Sequence, residues 1–290
     1  YYRVLSADAL GEAVGTASVI ASNGKGRSVA HGTANAGASA GAAAARSAGD
    51  TDASEVAATA EAAEADEAAA VLGGFIDYGL SERMYGTAVR LYPRLSLSLA
   101  RSLAERLASS GHTGESVKIM SLALRASPDP VTDDVLRIIY PRPWEAEVSS
   151  AAQRFDVPEY LLYALIRSES LFQAEVRSQV GAVGLAQLMR PTAADIAARL
   201  GYPEYDLDDP ATNITFGAYY LSEMIRRLDG KRMPALFAYN AGITRVRSWQ
   251  SSAPGLSGDL FLESLPYAET REYGRKVLAA SAVYGYLYNQ

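Results

Sequence analysis

From residue 71 onward the chain is a succession of apolar stretches with helical spacing, each opened or closed by glycine or proline. Leu95, Leu97, Leu99, Leu103 and Leu107 face one way while Arg101, Glu105 and Arg106 face another, and Gly111 stands where that helix would stop. His112 follows as a turn residue. A second helix is expected from about 115 to 126 on Val117, Ile119, Met120, Leu122 and Leu124, and Asp129-Pro130 opens a third towards 140. Beyond Pro141 and Pro143, helices are expected over 144–155, from Pro158 through Glu169, from Pro191 to Gly201, from Asp209-Pro210 to near Gly230, from Pro234 to Gly242, and over 268–288. No two-residue alternation of convincing length occurs, so the fold is expected to be mainly α. The prolines at 141 and 143 mark a boundary between a helical-hairpin array over 71–140, which supports or docks, and a second domain over 141–290.

The first seventy residues are different. Residues 1–21 read as a short helical segment carrying Tyr2, Leu5 and Leu10. Residues 22–70 are mostly Ala, Gly, Ser and acidic residues without aromatics, a composition that cannot offset chain entropy by burial. They read as a low-complexity linker, largely disordered, whose second part holds helix formers in a weakly anchored segment. His31 within it reads as solvated. The net charge of −6 argues against a general nucleic-acid binder. The absence of cysteine excludes disulfides and thiolate metal sites. No apolar run is long enough to cross a bilayer. The chain begins at Tyr1 rather than Met and is therefore expected to be a processed form or a fragment.

Residues 166–193 carry the chemistry. Glu169 has Leu165 and Ile166 one turn before it and Phe172 one turn after it, so it shares a face with apolar side chains. Such surroundings disfavour the carboxylate and raise its pKa. A carboxylic acid kept protonated near neutral pH can protonate the leaving oxygen of a glycosidic bond. The same pattern also describes a surface glutamate on an amphipathic helix, and spacing alone leaves both readings open.

The stretch ESLF at residues 169–172, GAVGLAQLM at 181–189 and PTA at 191–193 resembles the soluble lytic murein transglycosylases, which have a goose-type-lysozyme-like catalytic domain. The likeness continues, in order, through DPATNITFGAYYL at 209–221, AYNAG at 238–242 and ESLPYAETREY at 263–273. The resemblance implies a lysozyme-like catalytic domain behind the helical-hairpin array, with Glu169 as the single general acid/base. It implies that Ser178, Gln187 and Met189 line the groove beside it. Tyr239 and Asn240 would face the site from across the cleft, and Glu269 would be a further groove residue. Gly181, Gly184 and Gly242 fit places where backbone turns or approaches sugar. Two departures stand out: Ala186 replaces the Met usual in the family, thinning an apolar groove contact, and Arg190-Pro191 shifts the following helix start by one residue.

An ordinary glycosidase works with two carboxylates, whereas these motifs supply one strong candidate. The resemblance implies a substrate-assisted route in peptidoglycan: Glu169 protonates the bond oxygen between N-acetylmuramic acid and N-acetylglucosamine, then deprotonates the C6 hydroxyl that closes a 1,6-anhydro ring. Two rivals stay open at this point, a hydrolytic muramidase of the same fold and a non-catalytic peptidoglycan-binding scaffold. The family implies a periplasmic or cell-envelope setting, glycan strands as partner, and the helical region as a place for cell-wall enzymes to dock. No cofactor is implied. Asp206, Asp208 and Asp209 lack the glycine and distal glutamate of a calcium loop, so no metal is expected. Trp249 and Tyr219, Tyr220, Tyr284, Tyr286 and Tyr288 have helical spacing and read mostly as core.

Overall fold

The computed structural model describes residues 50–91, 95–128 and 130–289. The short helical segment over 1–21, the linker over 22–49 with His31, and Asp129 lie outside the described residues. The backbone from residue 50 is helical: α1 spans Asp50–Asp77 and runs straight across residue 71. After it come α2 (Ser81–Arg90), α3 (Leu97–Ser109), α4 (Thr113–Ala126) and α5 (Asp133–Ile139). Each of α3 and α5 starts on a capping hydroxyl: Ser96 Oγ accepts from Leu99 N, and Thr132 Oγ1 from Val135 N. The helix expected to open at Asp129-Pro130 starts instead at Asp133, behind the Thr132 cap. Leu72, Met84, Leu103, Leu107, Ile119 and Met120 close a first core.

A second, larger core is built by α6 (Glu145–Phe155), α7 (Glu159–Ser170), α8 (Arg190–Leu200), α9 (Pro210–Arg227), α10 (Arg232–Ala241), α11 (Ile243–Ser252), α12 (Gly258–Ser264) and α13 (Ala268–Tyr288). The helix α13 lies along α7, and α9 lies along α6 and α10. Residues too few to show a strand period form a small antiparallel hairpin, β1 (Ala182–Val183) with β2 (Leu188–Met189), in the register Ala182 to Met189 and Val183 to Leu188. The fold is mainly α, as the punctuation implies. The aspartates of the 206–209 loop serve structure: Asp209 caps α9 by accepting from Thr212 N at 2.8 Å, Asp206 accepts from Asp208 N, and Asp208 pairs with Arg177 at 2.7 Å.

Tyrosines join the two cores around residues 139–143. Tyr284 Oη donates to Pro141 O (2.9 Å), Tyr163 Oη to Pro143 O (3.3 Å) and Tyr288 Oη to Tyr140 O (2.9 Å). Tyr163 and Tyr284 stack with ring centroids 5.4 Å apart, and Arg167 of α7 lies over Tyr140 while donating to Ile139 O. Burial pushes the Tyr284 hydroxyl far above its ordinary range, so it stays a donor at any working pH.

The loop that carries the hairpin is held from below by one side chain. Asn213 of α9, 1% exposed, accepts from Ala186 N at 2.8 Å and donates to Val183 O at 3.0 Å and Leu207 O at 2.9 Å. Gly184 at φ +77 passes so close that a Cβ there would meet Asn213 Nδ2 at 2.2 Å. Asn213→Ala would strand two carbonyls and one amide in the core. It is expected to destabilise the full chain by about 2–4 kcal/mol, read as a lower urea midpoint at unchanged slope.

Candidate active site

Glu169 stands in the last turn of α7, whose preceding turns are packed solid: Leu162, Leu165 and Ile166 are 0–1% exposed. The helix ends at once after it. Leu171 (φ +50) and Phe172 (φ +65) are consecutive non-glycine residues in the left-handed region, and Phe172 turns back into the larger core at 3% exposure. Ser170 Oγ accepts from Phe172 N and holds this turn. Burial pushes the Glu169 carboxyl up from 4.5 to about 7.

Two tyrosines from other helices converge on that carboxyl. Tyr273 of α13 is 9% exposed; its hydroxyl is buried, and no well-formed hydrogen bond to it occurs among the described residues. It leans on Glu169, where its O–H favours the ionised form, but burial outweighs this weak contact. Tyr239 of α10 donates to Ala186 O at 2.8 Å, edges against Tyr220 at 5.0 Å, and feels the charge of Glu169. Burial, then the Glu169 charge, raises both phenols well above 10. The site is thus one neutral acid and two neutral phenols, with no other carboxylate among the described residues acting on its ionisation.

The remaining expected groove residues stand around this centre in different ways. Ser178 Oγ accepts from Ala182 N (2.9 Å), and Gln187, itself at φ +47, donates its amide to Val176 O (3.1 Å) and Gly184 O (2.9 Å). Both side chains therefore brace the hairpin loop. Met189 is 40% exposed. Asn240 is exposed and accepts from Thr270 Oγ1 at 3.0 Å, tying α10 to α13. Glu269 is exposed in the first turn of α13. Ala186 is not on the groove wall as the sequence reading had it: it is fully buried against Gly217, where an added Cβ would lie 2.4 Å from its own. Sequence reasoning missed Tyr273 and Asn213, although both lie inside motifs it quoted. Among the described residues no cluster of three or more His, Cys, Asp or Glu could hold a metal ion, and no helix is long and apolar enough to cross a membrane.

Residues 147–261 match the family model of the transglycosylase SLT domain. The chain is similar to SLT transglycosylase domains over this stretch. It is 38% identical over 136 residues to the soluble lytic murein transglycosylase of Escherichia coli K12, covering 45% of this chain and 21% of that protein. A putative soluble lytic murein transglycosylase of Haemophilus influenzae is 34% identical over 161 residues, or 54% of this chain and 27% of the relative. Among solved structures, an inactive mutant of the lytic transglycosylase Slt from Pseudomonas aeruginosa superimposes with a TM-score of 0.64 at 30% identity, over 74% of this chain and 34% of that one. The 70-kDa soluble lytic transglycosylase of Escherichia coli gives 0.62 at 28% identity, with the same coverage. These solved structures support a lysozyme-like, helical fold. The chain spans about a fifth of the length of the first curated relatives it matches.

The sign of the Glu169 shift sets a stability test. The folded carboxyl titrates near 7 and the unfolded one near 4.5, so the native state holds the extra proton between those values. Its contribution to stability declines as pH rises from 4.5 through 7 and stays unfavourable above. Glu169→Gln, which carries no charge, is expected to be more stable than the parent at pH 8 by on the order of 1–3 kcal/mol. Thermal melts should show that gain vanish near pH 4.5.

Proposed function

We propose that the chain is a lytic transglycosylase that cleaves the β-1,4 bond between N-acetylmuramic acid and N-acetylglucosamine in peptidoglycan. The observation that carries this reading is the half-buried Glu169 carboxyl, pushed up to about 7 beside Tyr239 and Tyr273 with no carboxylate partner acting on it. An acid of this kind can protonate the glycosidic oxygen as the C1–O bond breaks, and the substrate's N-acetyl oxygen stabilises the sugar cation. Glu169, now a carboxylate, takes the proton of the C6 hydroxyl as that oxygen bonds to C1, which restores the acid and leaves a 1,6-anhydromuramyl end. No water is consumed. Tyr273, a neutral phenol, can donate to the carboxylate in its transient ionised form, while Tyr239 keeps its O–H on Ala186 O and walls the site.

In this reading Ser178, Gln187 and Met189 shape one side of the groove through the hairpin loop, and Asn240 and Glu269 shape the other. Residues 71–140 form the platform and 141–290 the transglycosylase domain, with the described helices α1–α5 offering a face to cell-wall enzyme partners. The setting is the periplasm or the cell envelope, where the substrate is found; the names of the relatives, soluble and membrane-bound lytic murein transglycosylases, support it.

Digestion of purified murein followed by mass spectrometry of the fragments tests the reaction. Anhydro ends are expected from the parent, and a loss of about a thousandfold or more from Glu169→Gln. Reducing ends would assign a hydrolytic muramidase instead, and binding without cleavage a scaffold.

A further inference from the structure

The turn that follows Glu169 is shared between the two cores. Phe172 is buried in the larger core, while the preceding Leu171 packs against the platform core of α1–α5. Consecutive residues are thus anchored in opposite directions, both at positive φ, a conformation that bulky side chains hold only when the surroundings impose it.

What imposes it from the platform is the first turn of α4. Glu115 is 5% exposed, and its Oε1 accepts from Gln173 Nε2 at 2.9 Å and from Lys118 Nζ at 3.2 Å. A carboxylate buried to that degree is tolerable because it also sits at a helix N-terminus, where three residues' worth of unpaired N–H groups favour negative charge. Among the described residues its partner from outside the platform is Gln173, four residues beyond Glu169. Beside it the backbones touch: a Cβ on Gly114 would lie 2.8 Å from Leu171 O and 3.2 Å from Gln173 Nε2. Only glycine lets α4 come this close.

We infer that Glu115, seated on Gly114, is a positioning residue for Glu169, clamping the Leu171–Gln173 turn so that the acid keeps its orientation in the cleft. The helical platform is on this account part of the active-site framework as well as a support. The proposal rests on Glu169 being the acid of the reaction above, but its structural half can be read without activity.

Two measurements on the full chain test it. In amide hydrogen exchange, Glu115→Ala is expected to speed exchange at residues 171–173 about tenfold while leaving α8 unchanged. On murein, kcat is expected to fall about ten- to a hundredfold with KM within about twofold, because misplacing the acid costs the chemical step and not binding. Glu115→Gln keeps an oxygen for Gln173 and is expected to recover most of kcat. Should Glu115→Ala fail to fold, Gln173→Ala removes the same bond from the other side and leaves Glu115 with Lys118; the same slowing and faster exchange are expected. Unchanged exchange at 171–173 overturns the clamp. Faster exchange with kcat unchanged per folded molecule overturns its link to the acid. Parent protein that never cleaves murein refutes the proposed function instead, and the exchange result still decides the clamp.

Discussion

A carboxyl group keeps its proton near neutral pH only where its hydration is much reduced, and the architecture of this chain leaves Glu169 only partly exposed. The helix α7 places it one turn beyond Leu165 and Ile166, α13 lies along that helix and brings in Tyr273, and α10 brings Tyr239 from the other side. Each of these neighbours is neutral, and the weak contact of Tyr273 offsets only part of the lost hydration. Where a salt bridge would lower the pKa of a buried acid, the phenols leave it raised. A single group can then act as acid while protonated and as base once it has given its proton away.

Around this centre, polar side chains are spent mostly on holding backbone. Asn213 fixes the hairpin loop from below, Gln187 and Ser178 fix it from within, Tyr239 ties it to α10, and Asn240 ties α10 to α13. The loop can therefore present Met189 and its exposed backbone in one arrangement without a strand ladder of any length. Such preorganisation removes the need to order the site when a ligand enters.

Much of this was legible in the chain. Asp209 and Gly201 mark helix ends because a capping carboxylate and a left-handed glycine are local requirements, and α13 matches its expected span of 268–288. The face of Glu169 was legible because helical spacing fixes which neighbours lie one turn away. Where the sequence fell short, the deciding contact was distant or the local signal pointed the other way. Gly242, at φ +86, ends α10 as the sequence implies, but α11 restarts from the same glycine with no mark of its own. Tyr273 meets Glu169 only because α13 packs on α7, and the two residues lie far apart along the chain. Ala186 looked like a diminished groove contact; packing against Gly217 shows a site with no room for more. The meeting of Glu115 with Gln173 joins two regions that have no shared motif.

The central claim is that burial, unopposed by any charge, holds Glu169 protonated near neutral pH. Carbon-13 NMR titration of glutamate side-chain carboxyls, with Glu169→Gln used to assign the resonance, measures this directly. The account predicts a midpoint at about 7 for Glu169, well apart from the exposed glutamates. A midpoint near the ordinary 4.5 would contradict it, because the carboxyl would then be ionised at neutral pH and unable to start the reaction as an acid.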